Sequence, residues 1–279
     1  MRYGQPSRTA LGAARARALH QTREAAAVFA DPLAEAIAGA VDAAVGPADD
    51  DRPLPDDARL FLAMRHRFAE DALAAVADRI EQVVILGAGL DTFGYRNPYP
   101  GLRVFEVDHP ATQQWKRERL ADAGIAVPSA VRFVPVDFET DTLAASLAAA
   151  GFDRSAPTFF VWLGVIVYLT PESVTATLRF IAEHSARTEV VFDYSGPISA
   201  LPPQHRPMAE RLTRVMDELG EPWLSLFTPE EIAGQLHSLG FSQIEDLDRR
   251  GLFERYAPGT PTDDVVGGRV LHAAHPGHP

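Results

Sequence analysis

The chain has no cysteine among its 279 residues. That excludes disulfides, thiolate nucleophiles and cysteine-ligated zinc or iron–sulfur centres. Positive charge is scarce: 26 Lys and Arg face 38 Asp and Glu, for a formal net charge of -12 and a pI of about 5.2. This balance disfavours nonspecific binding to nucleic acid, and no basic face offers itself to an anionic membrane. The longest apolar run, residues 159–169, falls short of the ~20 residues that a membrane-crossing helix needs. The N-terminus, MRYGQPSRTALGAARARALHQTREAAA, lacks the compact apolar core of a secretory signal. There is no internal repeat. These absences leave a cytoplasmic protein, with no nucleic-acid or membrane partner, as the expectation. A metal site is not expected either: His272, His275 and His278 straddle Pro and Gly at the chain end, which reads as a frayed tail.

What is present is an alternation. Residues 9–40 are Ala-rich with spaced Arg, Leu and Phe, a helical pattern, and Asp31-Pro32 marks a second helix start. GPADDDRPLPDD (46–57) reads as an acidic surface loop, and residues 58–76 as a third helix. Then short β-branched runs at 83–86, 102–107, 131–136, 158–163 and 189–193 alternate with helical segments at 110–123, 142–150 and 171–186. Strands alternating with helices predict an α/β fold with a parallel sheet covered on both faces. The alternation stops after Asp193. A Pro-rich connection, an amphipathic stretch at 208–219 and a capped helix from Thr228 follow. Strand-like pieces near 242–247, 251–256 and 269–273 then predict an antiparallel edge. The expected division is a helical N-terminal cap, 1–78, and a Rossmann-like domain, 79–279, with a lid insertion at about 197–227.

The strand at 83–86 runs into Gly87-Ala88-Gly89, and bare backbone there lets a ligand lie against the main chain. A dinucleotide fingerprint needs a third glycine three residues on, where this chain has Thr92. Asp108, about 20 residues past the glycines, sits where an acid meets ribose hydroxyls. Asp137-Phe138, at the end of the following strand, suits an adenine: an acceptor for the exocyclic amine beside an apolar wall. Together these point to an adenosyl group with no demand for pyrophosphate, which S-adenosylmethionine meets better than NAD.

The segments ILGAGLDTFGYR, FEVDHP, VPVDFE and WLGVIVYLTPE, with AARARALHQ, FADPLA and MRHRFAEDAL upstream, resemble the leucine carboxyl methyltransferase family in its bacterial small-molecule O-methyltransferase branch. The resemblance spans roughly residues 9–194. It implies a class I methyltransferase fold, a seven-stranded, mostly parallel sheet with an antiparallel last strand, and S-adenosyl-L-methionine as methyl donor. Carried over by position, it implies that Gly87, Ala88 and Gly89 pass close to the methionine portion. Asp108, with His109 next to it, would hold the ribose; Asp137 and Phe138 would flank the adenine. Arg65 matches the family's partner for the methionine carboxylate, with Arg67 as fallback. Relatives often carry Glu where this chain has Leu163, beside the same site, so that residue's contacts are absent here or come from another group.

Methyl transfer to a carboxylate needs no base, whereas a phenol or alcohol needs one. Tyr168 and Tyr194 are candidates to orient an acceptor. His109, before Pro110, reads better as a helix cap than as a base, and His20 and His205 cannot be ranked. Phe61, Trp223, Leu224 and Phe227 are candidate lining residues. The expected function is O-methylation of a small-molecule, secondary-metabolite carboxyl or hydroxyl by a monomer or homodimer. The rival readings are an NAD(P)-dependent oxidoreductase and a non-catalytic adenosyl-binding protein.

Overall fold

Five apolar runs form parallel strands: β1 (Gln82–Leu86), β2 (Arg103–Asp108), β3 (Val131–Pro135), β4 (Thr158–Trp162) and β5 (Thr188–Tyr194). With β6 (Gln243–Leu247) and β7 (Arg269–His275) they make one seven-stranded sheet in the order β3-β2-β1-β4-β5-β7-β6. β7 runs antiparallel to both neighbours, as the sequence predicts for the last strand. The computed structural model describes residues 8–24, 27–45, 55–137, 141–184, 186–260 and 267–277.

The helices are α1 (Arg8–Arg23), α2 (Ala34–Val45), α3 (Asp56–Ala74), α4 (Phe93–Arg96), α5 (Pro110–Asp122), α6 (Leu143–Ala149), α7 (Pro171–Ala182), α8 (Arg206–Glu218), α9 (Pro229–Ser238) and α10 (Arg249–Tyr256). Local chemistry sets many of their starts. Thr142, Thr170 and Asp248 accept backbone N–H groups as N-caps, and Thr228 with Glu231 closes a capping box.

All five β1 residues are buried, because the sheet is covered on both faces. On one face Val84, Leu86, Phe105, Val107, Phe160 and Phe192 pack against α7 and α9 through Val174, Leu178, Ile232 and Leu236. On the other, Val83, Ile85, Val104, Phe159 and Val191 meet Met64, Phe68 and Leu73 of α3 and Leu252 and Phe253 of α10. Each fully buried side chain of this size contributes roughly 1.5–3 kcal/mol. Exposed ion pairs contribute at most about 1 kcal/mol each, so the two apolar layers hold the sheet. α3 therefore lies directly on the sheet. α1 and α2 form a separate cluster, Leu11, Ala14, Ile37 and Val41, that reaches Leu90 and Leu120.

Two local expectations fail. The segment expected as a strand at 251–256 is helix α10: the Asp248 side chain accepts from Gly251 N at 2.8 Å, and Leu252 and Phe253 bury on α3. The expected frayed histidine tail is β7, held on both edges by β5 and β6. His272 Nε2 lies 2.8 Å from the buried Glu189 carboxylate, and His275 is buried against Phe241. His278 lies outside the described residues.

His184 gives the core a titratable weak point. It is fully buried among Phe152, Phe160 and Phe180, at ring-centroid distances of 5.4, 5.4 and 5.1 Å. Nδ1 reaches the Phe180 carbonyl at 3.0 Å, and Nε2 has no partner. Burial, then the Arg154 charge, lowers its pKa from 6.5 to about 4. The neutral ring is thus favoured in the fold. Its contribution is complete above the unfolded-state value and is lost as pH falls from about 6.5 to about 4, on the order of 3 kcal/mol. Unfolding free energies measured across that window should fall more steeply in the wild type than in His184→Phe. Parallel curves would show that this ring does not carry the effect.

Candidate active site

β1 is the point where the sheet reverses direction, with β2 on one side and β4 on the other. In such sheets the crevice beyond the carboxyl ends of the strands is where ligands bind. The glycine turn and Asp108 lie at these tips. Gly87 (φ 65°) and Gly89 (φ 41°) adopt left-handed backbone conformations, which glycine enters without a Cβ penalty. Between them Ala88 N donates to the Val107 carbonyl at 3.0 Å, locking the turn to β2. A Cβ on Gly87 would sit 2.3 Å from Val165 Cγ2, so this turn presses against the loop after β4.

Asp108, at the tip of β2, accepts from Gly89 N at 2.6 Å and from His109 N at 2.7 Å. Burial raises its pKa, against the pull of those two N–H groups and of Lys116. A carboxylate has about four lone-pair sites, so two remain for a ligand diol. His109 caps α5: its Nδ1 accepts from Ala111 N at 3.2 Å, which leaves that nitrogen unable to act as a base. Asp137 is half-buried at the end of the third tip, where its backbone N–H donates to Asp141 at 2.9 Å. Phe138 lies outside the described residues.

Arg65 comes from α3. Its Nη1 pairs with Asp193 of β5 at 2.8 Å, and its side chain is 10% exposed. The Nε is buried and has no partner. The guanidinium lies against Gly164 (φ 72°), where a Cβ would come 2.9 Å from Nη2. Gly164 N also donates to Asp193. Gly164→Ala should therefore destabilise the fold by about 1–2 kcal/mol through left-handed strain and displace the guanidinium. Thermal denaturation checks the first effect and donor-product affinity the second; unchanged affinity would mean that the Arg65 position is not set here. Arg67, the fallback, is exposed and pairs with Asp71 at 2.8 Å.

Leu163 lines a small cavity of about 20 Å³ with His66, Glu70, Ile85, Asp91 and Phe93, room for one water. Asp91, which sequence reasoning passed over, accepts from Phe93 N at 2.7 Å and faces His66 Nε2 at 3.6 Å. Burial works to raise its pKa, but the adjacent His66, with Arg17 and Lys116, holds it well below the usual carboxylate range.

Two distant segments meet beside the glycine turn and the turn after β4. The Glu221 carboxylate accepts from Arg8 N at 3.0 Å and Thr9 N at 3.3 Å, an acid at the N-terminus of α1. Ala10 Cβ sits 3.4 Å from where a Cβ on Gly89 would lie. Leu224 N donates to the Val167 carbonyl at 2.7 Å and Ser225 Oγ to the Leu169 carbonyl at 2.6 Å, stitching the 197–227 segment to the turn after β4. Tyr168 in that turn has its phenol pushed up by burial, against a hydrogen bond with Thr9, with Glu221 and Arg65 close enough to act on it.

Other expected site residues lie elsewhere. Tyr194 is buried in the core and its hydroxyl donates to Asp246 of β6 at 2.6 Å, so it cannot orient an acceptor. Phe227 belongs to the main core, Leu224 is 49% exposed, and Phe61 packs under Arg249 and against Gly268. Trp223 is part-buried beside Tyr168. His20 is buried and paired with Glu24, and His205 precedes α8. A groove of about 430 Å³ lies between α2 and α5, lined mostly by alanines and sharing no lining residue with these tips.

The geometry fits an adenosylmethionine and not a dinucleotide. Thr92 is buried and its hydroxyl donates to Asp31 at 2.7 Å, so no third glycine is needed. The following helix, α4, is a single turn, too short to offer a helix-terminal pyrophosphate site. The unpartnered Arg65 Nε and the open lone pairs of Asp108 suit the two ends of a smaller ligand.

Comparison with known proteins agrees. A Bacillus subtilis (strain 168) protein, YktD, named as a candidate S-adenosyl-L-methionine-dependent methyltransferase, is 39% identical over 70% of this chain, a match that spans 64% of its own length. Its Frankia alni counterpart FRAAL3718, named likewise, is 32% identical over 97% of this chain and 95% of its own. A DUF574 family protein from Streptomyces avermitilis shares the fold with a TM-score of 0.59 at 15% identity, covering 97% of this chain and 98% of that one. Magnesium protoporphyrin IX methyltransferase from Synechocystis, solved with bound S-adenosylhomocysteine, shares it with a TM-score of 0.50 at 12% identity, covering 82% and 90%. The leucine carboxyl methyltransferase profile matches residues 10–182, and the chain belongs to that family.

Proposed function

We propose that the protein transfers a methyl group from S-adenosylmethionine to an oxygen of a small molecule. The observation that carries this reading is the set of groups at the tips of β1, β2 and β4: two left-handed glycines, an acid with open lone pairs and, brought there by α3, a buried arginine with an unpartnered edge. Asp108 accepts from the ribose hydroxyls, Gly87, Ala88 and Gly89 lie along the methionine arm, and Asp137 accepts from the adenine amine. Arg65 offers Nε to the methionine carboxylate in a charge-assisted hydrogen bond. Leu163 provides an apolar wall. The bound donor supplies an electrophilic methyl on a sulfonium; the chain supplies position and dryness. Holding nucleophile and methyl in line can account for about 7–11 kcal/mol of barrier.

α1 and the 197–227 segment exclude water above the tips. Tyr168, its phenol kept neutral by burial, donates a hydrogen bond that orients the acceptor. The acids of this mouth are engaged: Glu221 with the start of α1, Asp193 with Arg65 and Gly164. That favours an acceptor that arrives ionised, a carboxylate, over a hydroxyl that must lose a proton. No helix among the described residues is long and apolar enough to cross a membrane. The same reading makes the protein a cytoplasmic monomer or homodimer acting on a secondary metabolite.

Incubation with methyl-labelled S-adenosylmethionine and a panel of carboxylic acids and phenols tests this. Label should appear in a product from which mild alkali releases it as methanol, as from a methyl ester, with stoichiometric S-adenosylhomocysteine. Tight NAD(P)H binding with no S-adenosylhomocysteine binding would favour the oxidoreductase reading instead.

A further inference from the structure

We infer that Asp193 is a donor-binding residue: with Arg65 it forms a two-charge clamp for the zwitterionic amino-acid end of the donor, Asp193 taking the α-ammonium. The inference rests on the assignment of Arg65 to the α-carboxylate. An amino acid carries its two opposite charges on one carbon, so its complement is a cation and an anion side by side. Arg65 Nη1 and Asp193 Oδ2 are 2.8 Å apart, with side-chain exposures of 10% and 12%. The pair is fixed from three elements. α3 delivers the guanidinium, the tip of β5 delivers the carboxylate, and the loop after β4 places Gly164 against both.

Both partners keep capacity in hand. Asp193 uses one lone pair on each oxygen, for Gly164 N and Arg65 Nη1, leaving about two acceptor sites. Arg65 keeps a buried Nε with no acceptor, which is costly unless a ligand meets it. The same loop presses Val165 against Gly87, so the clamp adjoins the glycine turn along which the methionine arm is assigned. Leu163, next to Gly164, has no carboxylate to offer, and Asp193 is the acid that bonds both Gly164 N and Arg65.

Calorimetric titration separates the possibilities, using S-adenosylhomocysteine and its deaminated analogue, which keeps the carboxylate and lacks the ammonium. Asp193→Asn should weaken S-adenosylhomocysteine about 10- to 100-fold, the loss of one charge-assisted hydrogen bond, and leave the deaminated analogue unmoved. That analogue also serves as the check on folding. If Asp193→Asn weakens both ligands equally, or neither, the clamp is overturned and Asp193 only steadies the loop. Arg65→Gln tests the parent assignment separately and should weaken both ligands. Unchanged binding in that variant overturns the Arg65 reading and the clamp with it. An Arg65 effect without the Asp193 selectivity overturns the clamp alone.

Discussion

Asp108→Ala should lower the affinity for S-adenosylhomocysteine by at least about 100-fold, because two hydrogen bonds to a charged acceptor are lost together. The same carboxylate holds Gly89 N and His109 N, so the variant also leaves two turn donors to water and should lose about 1–3 kcal/mol of stability. Asp108→Asn separates these roles in part. Gly89 N and His109 N bond different carboxylate oxygens, so the single amide oxygen keeps one of them, while the charge that strengthens the ribose contacts is gone. Thermal denaturation and calorimetry should both place the Asn variant between wild type and Ala. Equal binding by wild type and Ala would mean that the ribose does not lie on β2.

Gly87→Ala should be the most damaging small substitution at the site. Left-handed strain costs about 1–2 kcal/mol, and the added methyl would fall 2.3 Å from Val165 Cγ2, an overlap of the kind that costs about 1–3 kcal/mol. The two parts can be told apart. Val165→Ala removes the methyl groups in the way, so the double variant Gly87→Ala/Val165→Ala should recover the overlap part and keep the strain part. Chemical denaturation of the four proteins gives the coupling directly. A coupling near zero would show that the turn does not press on the loop after β4.

The central strands were legible because burial on both faces leaves unbroken apolar runs, as in β1 and β4. Asp108 was legible because the distance from a glycine turn to the next strand tip is nearly fixed in a βαβ unit. The misreadings share a cause. RRGLFERY has the bulky residues of a strand, and only a cap at Asp248 and a berth on α3 make it helix. The histidines of β7 looked like a tail because the strands that hold them, β5 and β6, come from elsewhere in the chain. Tyr194 sits at a strand tip as expected, but its rotamer is decided by Asp246 on another strand. The pairings that define the mouth, Arg65 with Asp193 and Glu221 with Arg8 and Thr9, span 128 and more than 200 residues of sequence. Local pattern carries no record of such partners.

The central claim is that the tips of β1, β2 and β4 cradle the methyl donor. A crystal structure of the protein with S-adenosylhomocysteine tests it most directly. The ligand should lie along Gly87–Gly89 with its ribose on Asp108, its carboxylate at Arg65 Nε and its sulfur facing Tyr168. Density for the ligand in the groove between α2 and α5, or anywhere that leaves Asp108 and Arg65 untouched, would contradict it.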